Sequence, residues 1–266
     1  MAELSGSKDA PASRETVRLR HLKDQSSSYR KPFFQRLVHN YVHSNVTLIV
    51  KLGDLRVKFR PLSYDPIVIF SVLIRHIYGK IPANSVVVDV GAHIGTFSLH
   101  ASLARSPTVL AFEPEPKNFE LLRENLAING LSGKVHAFKQ AVWSRDEKRI
   151  LFTSKGSAFH SFYPEKNGIG GTEPTDCVDI NTILDPLNYP VLLKIDAEGS
   201  EYEIIPHINS INIGKISRIE LEYHLGDPSR RIAFHSLLKW FSQKGFDVYL
   251  RHDVNVLSAF KKQQPQ

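Results

Sequence analysis

The chain has 266 residues, a hydrophobic share of 42%, a charged share of 23% and a formal charge of +7, the balance of a soluble globular protein. No apolar run nears the roughly 18 residues that a membrane span needs, and the polar N-terminus lacks the apolar core of a signal peptide. One cysteine, Cys177, excludes an intrachain disulfide and zinc-cluster spacing; it reads as a structural thiol in a reducing, cytoplasmic compartment.

Residues 1–29 are rich in Ser, Lys, Arg and small polar side chains and read as a mobile tail. Pro32 opens a helical pattern of Phe33, Phe34, Leu37, Val38 and Tyr41, flanked by Arg30, Lys31 and Arg36; packing on the main domain is preferred over a membrane surface. Residues 45–59 read as a hairpin. Val46, Leu48 and Val50 alternate, as do Leu55, Val57 and Phe59, around a Gly53-Asp54 turn. Asp65-Pro66 is an N-cap followed by a first-turn proline, which predicts a helix to about Tyr78. Residues 30–80 are expected to form a helix–hairpin–helix extension on a main domain of residues 81–266.

Within that domain strands and helices alternate. Strands are expected at 86–90, 108–112, 135–138, 191–195, 218–222, 246–250 and 254–260, with helices near 95–104, 116–129, 201–208 and 230–244. The run Val86–Val90 is apolar on both faces apart from Asp89, as in a buried parallel strand. The fold class is α/β: a doubly wound, Rossmann-like seven-stranded sheet, its last strand antiparallel because only a short turn at His252 precedes it. Residues 154–176, rich in Gly, Ser and aromatics, read as a long loop or lid.

The first of these strands runs into Asp89-Val90-Gly91-Ala92-His93-Ile94-Gly95. Gly91 and Gly95 allow a tight turn near a ligand, at the strand end where open α/β sheets bind ligands. His93 is a loop residue lining that site. A dinucleotide fingerprint would need glycine where His93 and Thr96 stand, and Asp89 faces a pyrophosphate badly. Asp89 suits the cationic amino-acid part of S-adenosylmethionine. Glu113 ends the next strand and can accept hydrogen bonds from both hydroxyls of a ribose.

Those runs, together with Ala111-Phe112-Glu113-Pro114, Asn125-Leu126-Ala127-Ile128-Asn129-Gly130 and Leu193-Lys194-Ile195-Asp196-Ala197-Glu198-Gly199-Ser200-Glu201, resemble the FkbM-type methyltransferases over roughly residues 60–225. That family often has Asn in place of His93 and Val in place of Ala197. The resemblance implies a class I methyltransferase-like fold using S-adenosyl-L-methionine. It implies that Asp89, Gly91 and Gly95 hold the methionine part, that Glu113 binds the ribose beside Pro114, and that Gln140, Ala141 and Val142 flank the adenine.

Methyl transfer needs a positioned acceptor and a base. Asp196 ends a strand where the methyl group is expected, Glu198 and Glu201 follow, and Glu220, Glu222 and His224 alternate on the next strand. Asp196, Glu198 and His224 are the catalytic candidates, with Asp196 or His224 as base. Two other readings compete: a divalent ion such as magnesium on Asp196, Glu198 and Glu222, and a helix-start role for Glu198 and Glu201. Arg60, Ser63 and Asp65 stand where similar proteins have comparable residues and are candidates to close the cofactor or acceptor site, although capping alone accounts for Asp65. The expected acceptor is a hydroxyl on a sugar, glycan, lipid headgroup or small metabolite. An N-methyltransferase, an RNA-modifying enzyme and an inactive cofactor-binding protein are the alternatives. The dispersed charge gives no nucleic-acid stripe.

Overall fold

The structure is a computed structural model that describes residues 46–104, 108–154, 156–164, 169–188 and 190–262. The expected tail and the helix after Pro32 lie outside the described residues.

A seven-stranded sheet organises the chain. Its strands are β3 (Val86–Val90), β4 (Val109–Phe112), β5 (Val135–Phe138), β9 (Val191–Ile195), β10 (Ile216–Glu222), β11 (Phe246–Arg251) and β12 (Val256–Lys261). Their order is β11-β12-β10-β9-β3-β4-β5. The five strands from β5 to β10 are parallel, and β12 runs antiparallel between β10 and β11. That is the class I methyltransferase architecture. The order reverses between β3 and β9, which opens a crevice at their carboxyl ends.

Both sheet faces are covered, so β3 and β9 are buried throughout. Val88, Val90, Leu193 and Ile195 pack with α4 (Ile180–Leu184), α5 (Glu201–His207), α6 (Ser210–Lys215) and α7 (Pro228–Gln243). Val87, Ala111 and Leu192 point the other way, because successive strand side chains alternate. They meet α2 (Thr96–Leu103) and α3 (Pro116–Ile128).

The N-terminal hairpin is β1 (Leu48–Leu52) with β2 (Leu55–Phe59). Leu55 and Val57 enter the core and Val50 and Leu52 pack against it, whereas Leu48 and Ile49 stay exposed, so the alternating face of β1 is covered only toward the turn. Asn125 of α3 and Asn129 at its C-terminal cap dock the hairpin by imitating a neighbouring strand. Asn125 accepts from Lys58 N–H at 2.6 Å and donates to Lys58 O at 3.0 Å. Asn129, one turn on, does the same to Arg56 at 2.9 and 2.7 Å.

Two expectations are corrected here. The helix from Asp65 is short: α1 covers Asp65–Ile69 and widens into a π-helical turn over Phe70–Ile74, where Arg75 N–H bonds to Phe70 O at 2.9 Å. The chain then leaves helical geometry at His76, whose φ of 49° is left-handed, so no helix reaches Tyr78. Residues 154–176 are not one long loop. Strand β7 (Glu147–Ser154) pairs antiparallel with β8 (Ile169–Asp179), and β6 (Ala141–Trp143) pairs parallel with the end of β8. Pro174 argues against a strand by pattern, but β6 reaches only Cys177–Asp179, so β8 is an edge at Pro174 and tolerates its missing N–H. Cys177 is buried in this small sheet, and burial pushes its thiol up to about 12, which leaves it inert.

Candidate active site

The turn from β3 to α2 reverses sharply, with left-handed conformations at Gly91 (φ 72°), His93 (φ 53°) and Gly95 (φ 89°). A side chain at Gly91 would overlap the Asp196 carbonyl, and one at Gly95 would meet Leu122. The glycines therefore let β9 and α3 approach the turn.

A cavity opens at this end of the sheet, lined on one side by Gly91, His93, Glu113, Pro114, Ala141 and Val142. On the other side lie Asp196, Ala197, Glu198 and Ser200, and Ser157–Phe162 passes over it. The loop is tied down by Ser161 Oγ–H donating to Glu198 O at 2.7 Å and by Asn118 Nδ2 donating to Ser157 O at 2.9 Å. Of the expected cofactor residues, Asp89, Gly95 and Gln140 do not line the cavity.

Glu113 is buried and accepts two backbone N–H bonds, from His93 at 2.8 Å and Glu115 at 2.9 Å. Burial raises its pKa to about 7 despite those donors. Asp89 turns inward. Its Oδ1 lies 3.2 Å from Lys194 Nζ and its Oδ2 accepts from Ser98 at 2.7 Å. Register sets this pair, because Asp89 and Lys194 are direct partners on β3 and β9. Lys194 also donates to Gly91 O at 2.7 Å and lies 3.8 Å from Asp196. Burial pulls the Lys194 pKa down, but Asp89 and Asp196 more than offset it, and the net shift is upward. Lys194 had no assigned role in the sequence; its signal was a lone cation in an otherwise apolar strand, which must find a partner.

Asp65 starts α1 rather than capping it, and no side chain caps that helix. Its carboxylate instead accepts two bonds from the Arg60 guanidinium, at 2.8 and 2.9 Å. Burial opposes the charge on Asp65, but the Arg60 bonds and the nearby His93 bring its pKa below the usual value. His93 Nε2 lies 3.3 Å from Asp65 Oδ1, outside hydrogen-bond alignment, and neither ring nitrogen has a hydrogen-bond partner. Burial lowers His93 to about 4, so the ring is neutral at pH 7.

Asp196, Glu198, Glu222 and His224 come together; Glu220 does not. Glu220 shares the face of Glu222 but lies one step further back along β10, where it meets Arg218 and Ser258. His224 Nε2 is 3.2 Å from Glu198 and its Nδ1 3.1 Å from Glu201. Burial would discharge the ring, but the two carboxylates outweigh it and hold His224 well above its usual pKa. Glu201 is buried at the start of α5 and also accepts from Gly199 N–H at 2.7 Å. One donor atom each from Asp196, Glu198 and His224 fall within 4.8 Å of one another. They could meet a divalent ion only if His224 gave up the proton that Glu198 and Glu201 hold. The magnesium reading has Glu222 where this group has His224. Tyr78, likewise unanticipated, brings its hydroxyl to 3.3 Å from both Asp196 and Glu222.

The family model of the Methyltransferase FkbM domain matches residues 89–248, which contain the turn, Glu113 and the Asp196–Glu201 run. The chain belongs to the FkbM methyltransferase family. It is 27% identical over 212 residues to methyltransferase sdnD of Sordaria araneosa, covering 64% of this chain and 76% of that protein. It is 28% identical over 203 residues to 31-O-demethyl-FK506 methyltransferase FkbM of Streptomyces tacrolimicus, covering 64% and 75%. The crystal structure of methyltransferase FkbM from Methylobacillus flagellatus KT aligns with a TM-score of 0.50 at 16% identity, over 72% of this chain. The present chain spans about half (47%) of that longer FkbM protein. Arg60, Asp65 and Tyr78 precede the matched FkbM region.

Proposed function

We propose that the protein is an S-adenosylmethionine-dependent O-methyltransferase acting on a hydroxyl of a sugar, glycan, lipid headgroup or small metabolite, with Asp196 as the base. The observation that carries the reading is the pairing of two different carboxylates across one cavity: Glu113 at the end of β4 and Asp196 at the end of β9. Glu113 sits buried with backbone donors but no cation within bonding distance among the described residues, and ribose hydroxyls would supply the further donors that its anion lacks. Pro114, Ala141 and Val142 offer the apolar surface that an adenine needs. The cofactor, when bound, supplies a methyl group already activated on a sulfonium.

Asp196 is 29% exposed and faces the cavity. With cofactor and acceptor bound, Asp196 would be the residue that takes the proton of the acceptor hydroxyl. His224 is held as a cation and does not serve as the base; with Glu201 it fixes Glu198 at the rim. Lys194 and Asp89 brace the floor from below, so Asp89 acts on the methionine end through the turn it anchors. Hydroxyl over amine rests on the family resemblance and on the FkbM relative whose name specifies an O-methyl position.

Calorimetric titration with S-adenosylmethionine and S-adenosylhomocysteine tests the reading. Micromolar binding is expected, weakened by about 1–3 kcal/mol in Glu113→Ala, the scale of hydrogen bonds to a charged group. A folded wild-type protein that binds neither ligand sinks the proposal.

A further inference from the structure

Tyr78 stands before the matched family region, yet its hydroxyl reaches Asp196 at the end of β9. The ring is buried, packs edge-on against Phe97 at 5.2 Å, and carries the Lys194 ammonium 5.7 Å from its centroid. Arg218 donates to Tyr78 O at 2.8 Å and fixes the backbone. The hydroxyl therefore has little freedom, and it lies 3.3 Å from Asp196 Oδ2 and 3.3 Å from Glu222 Oε2.

A phenol has one proton to donate. Two ionised carboxylates cannot both receive it; one would press its lone pairs against those of the phenol oxygen. The contact is resolved if one carboxyl carries its own proton and donates to the phenol oxygen. Asp196 has Lys194 Nζ at 3.8 Å and is partly open to the cavity. Glu222 lies deeper, and no described cation forms an ion pair with it.

We propose that Tyr78 and Glu222 are positioning residues for Asp196: Glu222 keeps a proton and donates it to the Tyr78 oxygen, while the Tyr78 hydroxyl donates to Asp196. Asp196 is then the single ionised carboxylate of the pair and is held in one orientation to receive the acceptor proton. This role for Asp196 rests on the methyltransferase reading above; the protonation of Glu222 does not. Asp196 and Lys194 face Glu222 from β9 and its end, Glu198 from the turn beyond, and His224 from the continuation of β10; Asp89 also acts on Tyr78. Burial and then Asp196 push Glu222 up to about 8, and His224 and Lys194 only partly pull it back. The same surroundings raise the Tyr78 phenol well above its usual pKa, so it stays protonated. Separated acid and base assignments of this kind are how paired carboxyls take different roles.

The test is an NMR pH titration of the full chain labelled with ¹³C at glutamate side chains, run on wild type, Glu222→Gln, Asp196→Asn and Tyr78→Phe. Thermal melting checks that each variant folds. One glutamate signal is expected to titrate near pH 8 and to vanish in Glu222→Gln. Asp196→Asn should lower its midpoint by at least one pH unit, a tenfold loss of proton affinity, and Tyr78→Phe should move it as well. A merely structural tyrosine would leave the midpoint in place. The proposal is overturned if no Glu222-dependent signal titrates above pH 6, or if Asp196→Asn and Tyr78→Phe leave the midpoint unchanged. S-Adenosylhomocysteine binding by the same samples separates the two readings: failure to bind sinks the cofactor assignment, whereas binding without the titration sinks only this one.

Discussion

The Lys194 ammonium lies 3.2 Å from Asp89 Oδ1, with the two side chains 4% and 0% exposed. They are direct partners on the central strands β3 and β9, directly under the turn that borders the cavity. Removing one member of such a pair leaves the other buried and unpaired, at a cost of about 3–5 kcal/mol. Lys194→Met should lose stability on that scale in urea unfolding. The double variant Lys194→Met, Asp89→Asn should recover part of it; a double variant no better than the single one would show that the pairing is not the reason.

Gly91 is required by geometry rather than by the ligand alone. Its φ is 72°, and a β-carbon there would overlap the Asp196 carbonyl of the neighbouring strand end. Gly91→Ala combines overpacking against backbone with left-handed strain, so about 2 kcal/mol or more should be lost. Because Asp196 must shift to make room, the substitution should also weaken S-adenosylhomocysteine binding. An unchanged melting temperature would refute this account of the glycine.

Glu113 gives a pH dependence with a definite sign. Its folded pKa is raised to about 7 from a usual 4.5, so the folded state holds the proton more tightly. The stability it contributes is complete below pH 4.5 and is lost as pH rises to 7. Binding goes the other way, because hydroxyl donors favour the anion. Affinity for S-adenosylhomocysteine should therefore increase as pH rises through about 7. Calorimetry between pH 6 and 8.5 should find that rise in wild type and a smaller one in Glu113→Gln.

His93 acts with the opposite sign on stability. Burial lowers it to about 4 from 6.5, so the folded state resists protonation. Its contribution is complete above pH 6.5 and is lost as pH falls toward 4. His93→Asn should flatten that part of the stability profile, measured as urea midpoints from pH 4 to 7. An identical profile in the variant would mean that the ring is not buried in its neutral form.

The sequence by itself determined the strand–helix alternation, the antiparallel last strand and the positions of Gly91, Glu113 and Asp196, because each depends on local rules. A strand buried on both faces must be apolar, and a tight turn between strand and helix needs glycine. Glu113 and Asp196 could be found because each ends a strand at the sheet edge where ligands bind. Strand β8 was hidden because its first part, open on one side and carrying Pro174 and two adjacent glycines, shows neither alternation nor an apolar run. Only the tertiary structure decided what each charge meets. The register of β3 on β9 put Asp89 on Lys194 rather than at the cavity. The place of Glu220 one step back along β10 set it against Arg218 and Ser258, and the packing of residues 65–78 against α2 carried Tyr78 to Asp196 across 118 positions of chain. Pairings of this kind depend on long-range geometry, which side-chain periodicity along one segment does not encode.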